Sequence, residues 1–163
     1  LLEIKVHILK LILFLLILVT NGGASAMTFY DKADWHFTQQ FPAERNEEQI
    51  YVHGGMFLKW AFDNEFLSGF IPEHFEQQLL QLKNREIKGS ALIENLDGVL
   101  ESGMFTEKGN AFISDYFNSK TDSYFHDYEN TLAKGLPSYF FVEDSWANYD
   151  KLAKIIDTRL EVW

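Results

Sequence analysis

The sequence has 163 residues, enough for one domain that buries a core without disulfides or a structural metal. It contains no cysteine, which excludes thiolate ligands, thiol nucleophiles and thiol redox chemistry. Its 24 acidic and 14 basic residues give a net charge of −10, a field that repels phosphate backbones and speaks against nucleic-acid binding.

Residues 1–26 stand apart from the rest. Lys5 and Lys10, an apolar run from Leu11 to Val19, and Ala24-Ser25-Ala26 follow the order of a secretory signal. The apolar run is too short for a stable membrane span. A second reading takes the segment as translated upstream DNA and Met27 as the start. Leu-, Ile- and Lys-rich stretches are what AT-rich DNA encodes, Gly22-Gly23 can cover a ribosome-binding site, and Glu3 suits a signal poorly. We prefer the Met27 start, which implies a cytoplasmic protein; the signal reading implies a periplasmic or secreted one. Residues 27–163 are then the expected single domain. Without Lys5, Lys10 and Glu3 that part holds 12 basic and 23 acidic residues, a net of −11.

From Thr28 to Glu44 there is no sustained period, so an extended arm is expected, packed through Tyr30, Trp35 and Phe41. A first helix follows over 47–68, with Asn46 as N-cap and Gln49 as its capping-box partner. Ile50, Phe57, Trp60 and Ala61 form its apolar stripe, widened by Tyr51, Leu58 and Phe62, which suggests a central helix. Gly54-Gly55 inside it costs about 1 kcal/mol per residue unless another backbone approaches closely.

Pro72 opens a second helix over 73–86. Ser90 caps a third over 91–101, and Thr106 a fourth over 107–119. A fifth starts at Thr121 or Asp122 and stops at Gly135, with Pro137 beyond it. Residues 138–142 suggest one short strand. Ser145 caps the last helix, where Trp146, Tyr149, Leu152, Ile156 and Leu160 repeat at helical spacing. The expected fold is mostly all-α, an irregular bundle of five to six helices with an extended N-terminal arm, its first and last helices at the centre.

No phosphate loop, nucleophile elbow, zinc-protease or calcium-loop motif is present, so no cofactor and no metal are assigned. His36 and His53 carry the most chemical interest. If the arm crosses the Gly-Gly turn of the first helix, the two imidazoles meet there. With Asp31 or Asp144 nearby they could ligate a metal or act as a general base. Ordinary packing histidines are the simpler reading. Glu143-Asp144 precedes the last helix, where the helix dipole alone favours carboxylates. His74 and His126 fall on polar helix faces. The binding candidates are Trp35, His36, His53, Glu143, Asp144 and Trp146, and the catalytic candidates His36, His53 and Asp144. Trp163 is a further exposed anchor or a seal on the bundle end.

Four segments resemble an uncharacterised family of small bacterial proteins: Tyr30-Asp31-x-Ala33-x-Trp35-His36, His53-Gly-Gly-Met-Phe57-Leu58-Lys-Trp60, Gly109-Asn-Ala-Phe112, and Gly135-Leu136-Pro137 with Val142-Glu143-Asp144-Ser-Trp146-x-Asn148-Tyr149. The resemblance runs from Tyr30 to Trp163 and implies no established activity. Members usually begin a few residues before the Tyr-Asp, which agrees with a Met27 start. Small acidic bacterial domains are often immunity proteins. The leading expectation is therefore a protein-binding domain that neutralises a basic toxin partner, steered by charge and held by aromatic anchors. Two alternatives stand beside it: a metal-dependent or acid–base enzyme built on His36, His53 and Asp144, and a domain that acts as an oligomer.

Overall fold

The structure, a computed structural model, describes residues 26–37 and 41–163. The two readings of the N-terminal segment fall, up to residue 25, outside the described residues. The fold is mostly helical, with one small sheet. Among the described residues no helix is long and apolar enough to cross a membrane.

The arm is more regular than expected. Strand β1, Phe29–Lys32, pairs antiparallel with β2, Val99–Glu101. Phe29 faces Glu101 and Asp31 faces Leu100, so Tyr30 has no facing residue of its own. Such a bulge re-aims the side chains around it. One helical turn, α1 (Ala33–His36), follows directly.

A 3₁₀ turn, Glu47–Tyr51, leads into helix α2, Val52–Asp63. Asn46 caps the turn by accepting from the Glu48 N–H, but Gln49 does not close a capping box; its amide donates to the Val142 carbonyl at 2.5 Å. From Val52 to Ala61 every residue of α2 is buried, as its broad stripe requires. The helix stops five residues earlier than its pattern suggests. Glu65 takes a left-handed conformation (φ 58°), and the Phe66 N–H closes on the Ala61 carbonyl at 2.8 Å, a Schellman closure.

The expected second helix is two: α3, Phe70–His74, with Pro72 inside it, and α4, Glu76–Lys83, which meet at Phe75. The expected third helix is cut short. Helix α5 covers Gly89–Glu94, and Asp97 and Gly98, both left-handed, turn the chain into β2. Val99, Leu100 and Glu101 are therefore strand, not helix. Ser90 does not cap α5; its hydroxyl donates to Asp144.

Helix α6, Glu107–Asn118, is capped by Thr106 as expected. Helix α7, Tyr124–Tyr128, runs into a π-turn over Glu129–Ala133. Gly135 is left-handed (φ 86°). The expected strand at 138–142 is instead a 3₁₀ turn, Tyr139–Phe141, and among the described residues no strand pairs with it. Helix α8, Trp146–Val162, starts at a Ser145 cap that accepts from the Asn148 N–H.

The two glycines of α2 answer a close approach. A Cβ on Gly55 would sit 2.1 Å from the Ser90 backbone nitrogen, and one on Gly89 would sit 1.9 Å from the Gly55 oxygen. Helices α2 and α5 thus touch backbone to backbone, and α5 is the nearest neighbour of α2. The last helix, expected at its side, reaches α2 through Trp60, whose Nε1 donates to Asp157 at 2.8 Å.

Candidate metal centre

The bulge in β1 and the turn of α1 bring three polar side chains to the start of α2. Asp31, on β1, is buried, with 3% of its surface exposed. His36, at the end of α1, folds back so that its Nε2 lies 2.7 Å from Asp31 Oδ1. His53, in the first turn of α2, places its own Nε2 2.8 Å from Asp31 Oδ2. One carboxylate therefore joins two imidazoles, one on each oxygen. The Lys32 N–H is a third donor to the carboxylate, reaching Oδ1 at 2.9 Å.

The backbone around these groups fixes their places. The Ala33 N–H donates to the Gly98 carbonyl at 2.8 Å, which ties the start of α1 to the turn before β2. Gly98 has φ 67°, and a Cβ there would press within 2.5 Å of the Ala33 Cβ. The hydroxyl of Tyr124, itself fully buried, donates to the His53 carbonyl at 2.5 Å.

The rings pack tightly. The two imidazoles meet edge to face with centroids 4.5 Å apart. Phe125 lies 5.4 Å from one and 5.3 Å from the other. Tyr139 stands edge-on to both, and its hydroxyl is 2.9 Å from His36 Nδ1. His36 is the member that reaches the surface; its side chain is 15% exposed, against 2% for His53.

Burial pushes the Asp31 carboxyl toward its neutral form, but the hydrogen bonds and charges of His36 and His53 outweigh that and hold it well below the usual carboxylate range. Asp31 is thus an anion whose two oxygens only accept, so each Nε2 that meets it carries a proton. Burial, followed by the charges of Asp31 and Glu129, pushes the Tyr139 hydroxyl up to about 12. Tyr139 is therefore a neutral hydroxyl at ordinary pH, which argues against a phenolate nucleophile.

One donor atom from each of Asp31, His36 and His53 lies within 4.8 Å of the others. Two imidazoles and a carboxylate suit divalent transition metals, and three protein ligands leave coordination positions open. Bonds of about 2.0–2.2 Å in the tetrahedral geometry usual for zinc separate the donor atoms by about 3.3–3.6 Å. The present N···O separations are 2.7 and 2.8 Å, so the ligands would move apart by roughly 0.5–0.9 Å around a cation.

The candidates from the sequence fall in two places. His36 and His53 come together, and the carboxylate that joins them is Asp31. Asp144 lies at the start of α8, where its carboxylate accepts from the Ser90 hydroxyl at 2.5 Å and its backbone oxygen accepts from Lys88. It lines a small cleft with Lys59, Lys88, Trp146 and Tyr149. Glu143 is exposed, and its carbonyl accepts from the Asn148 amide. Trp146 sits under the Arg85 guanidinium at 4.9 Å. Trp35, one residue before His36, is 55% exposed. Trp163 packs edge-on against Phe112 and donates to Asp115. Two residues of the centre escaped the sequence reading. Phe125 is not singled out by the sequence, and Tyr139 falls in the expected strand at 138–142; its only signal is a polar tip in an aromatic run.

A family profile described as a domain of unknown function, DUF7832, matches residues 29–142. The chain belongs to this family, whose matched span contains Asp31, His36, His53 and Tyr139 and stops before α8. No curated protein and no solved structure matches the chain.

Proposed function

We propose that the chain is a metal-binding protein and that Asp31, His36 and His53 hold a divalent transition metal whose open positions face outward past His36. This departs from the expectation of no metal or cofactor. The observation that carries it is the convergence of a buried carboxylate and two imidazoles. A lone packing histidine needs one partner for each ring nitrogen. Two histidines that share one buried carboxylate, both through Nε2, make a donor set once those nitrogens give up their protons. With an open position such a metal can polarise an oxygen of a substrate or lower the pKa of a bound water, which is the metal-dependent enzyme considered from the sequence, with Asp31 in the place considered for Asp144.

The test is calorimetric titration of the full chain with Zn²⁺ and with Co²⁺. Binding of one metal per chain, lost in a His36→Ala/His53→Ala double variant that stays folded, supports the proposal. Equal heats from the wild type and that variant contradict it.

A basic protein partner, such as a toxin met by an immunity-type protein, is the second reading. It draws on the net charge of −10 and on Trp35 and Phe37, which are 55% and 47% exposed beside the centre. A salt-sensitive complex with the product of a neighbouring gene would support it, and loss of that complex in Trp35→Ala would tie it to this face. A complex untouched by Trp35→Ala would remove this face from it.

A further inference from the structure

The centre contains one polar group that the metal ligands do not account for, the Tyr139 hydroxyl. It reaches His36 from far along the chain, on the 3₁₀ turn before α8. Its distance of 2.9 Å to Nδ1 is an ordinary hydrogen bond, and either partner can be the donor.

Which partner donates depends on what His36 does with its other nitrogen. In the present arrangement Nε2 faces Asp31 Oδ1 at 2.7 Å. A carboxylate oxygen accepts only, so Nε2 carries the proton. In the neutral ring Nδ1 then has a lone pair and accepts a hydrogen bond from the Tyr139 hydroxyl. If Nε2 instead gives its lone pair to a metal, the ring proton must sit on Nδ1, and that N–H needs an acceptor. The hydroxyl oxygen of Tyr139 is already in place. Once the ring proton has moved from Nε2 to Nδ1, rotation of the Tyr139 O–H lets the same hydroxyl serve both states. A carbonyl or an amide N–H at this position would satisfy only one of them.

We infer that Tyr139 is the positioning residue of this centre: its hydroxyl donates to His36 Nδ1 in the metal-free state and accepts from Nδ1–H when Nε2 binds the metal. The inference rests on the metal-binding reading above and adds to it a named partner that acts through His36. Tyr139 fixes the ring orientation and favours the tautomer that the metal requires. It also explains how the exposed ligand is held. His53 is buried and part of a long helix, whereas His36 lies on a single helical turn with 15% of its side chain exposed. The ligand with the weaker backbone support has the extra hydrogen bond.

The experiment is Zn²⁺ titration of four forms of the full chain: wild type, Tyr139→Phe, His36→Ala and the double variant. Removing the hydroxyl leaves Nδ1–H facing a phenyl edge in the loaded state. The expected result is a 10- to 100-fold loss of affinity in Tyr139→Phe, as for other outer partners of metal ligands. In the His36→Ala background the same change should cost nothing further, because the group it acts through has gone. An equal loss in both backgrounds would reduce Tyr139 to packing and overturn the inference, as would unchanged affinity in Tyr139→Phe. Absence of binding by the wild type would instead defeat the metal reading, and this inference with it. Should Tyr139→Phe fail to fold, ¹⁵N signals of the wild-type His36 ring decide. Nδ1 should change from an acceptor-type to a protonated nitrogen as Zn²⁺ is added. A ring that keeps its proton on Nε2 while metal binds overturns the inference.

Discussion

The protein buries two aspartates in similar surroundings and gives them opposite partners. Asp127, on α7, is 6% exposed and takes the Arg159 guanidinium on both oxygens, at 2.8 Å each, with the Tyr116 hydroxyl at 2.9 Å. Asp31 is 3% exposed and takes one imidazole on each oxygen. A guanidinium is a permanent cation with no lone pair, so Asp127 is closed to any ion. An imidazole can lose its proton and offer the lone pair in its place. The same buried carboxylate thus forms a structural clamp with a guanidinium on α7 and a candidate donor set with two imidazoles beside that helix. The difference lies wholly in whether its partners can give up a proton.

Exchanging the fates of the two aspartates is the sharpest way to break this comparison. Asp31→Asn should weaken Zn²⁺ binding by more than about 100-fold, since an amide is a poor ligand and points an N–H at one imidazole. Titration calorimetry reads this directly; retained affinity would mean the metal binds elsewhere. Asp127→Asn should leave Zn²⁺ affinity unchanged and cost about 2 kcal/mol of stability by urea unfolding, the scale of charge-assisted hydrogen bonds lost beside a partly exposed arginine. A change in affinity there would erase the distinction between the two sites.

Much of the fold was legible because its signals were local. Thr106 and Ser145 cap the helices they precede, and the cost of Gly54-Gly55 implied the backbone contact that Gly89 completes. Three misplaced helix ends share one cause. Glu65, Arg85 and Asp97 end helices in the left-handed conformation usually left to glycine. A charged residue gives no stop signal, so the pattern of α2 ran on to 68, that of α4 to 86, and that of α5 through a strand. Val99 and Leu100 are apolar in either state; what makes them strand is a partner some 70 residues earlier, which no local pattern contains.

The centre was half legible for the same reason. His36 and His53 could be paired by supposing that the arm crosses the Gly-Gly turn. Asp31 was one of two carboxylates that could complete the pair, and only the bulge at Tyr30 decides that it faces inward. Tyr139 lies 103 residues from His36 and carries no motif.

The α2–α5 contact that supports His53 yields a third prediction. Gly55→Ala would place a Cβ 2.1 Å from the Ser90 nitrogen, so backbone must move. A loss of about 1–3 kcal/mol in urea unfolding is expected, with weaker Zn²⁺ binding as α2 shifts. Full stability in this variant would mean that the two helices do not touch as described.

A smaller effect is expected with base. Burial first, and then the neighbouring carboxylates, push the hydroxyls of Tyr116 and Tyr149 well above their ordinary value of 10.0. The unfolded chain therefore loses these protons at lower pH than the folded one. Their contribution to stability is complete below about pH 10 and declines as pH rises beyond it. Urea midpoints taken between pH 9 and pH 11 should fall only above pH 10, in Asp31→Asn as in the wild type. A fall already complete by pH 9 would contradict the burial of these tyrosines.

The most direct measurement is the position of the ion itself. Crystals grown with Zn²⁺ should give an anomalous peak about 2.0–2.2 Å from His36 Nε2, His53 Nε2 and an Asp31 oxygen, with the Asp127–Arg159 pair unchanged. A zinc peak at another site, with both imidazoles still hydrogen-bonded to Asp31, would contradict the assignment.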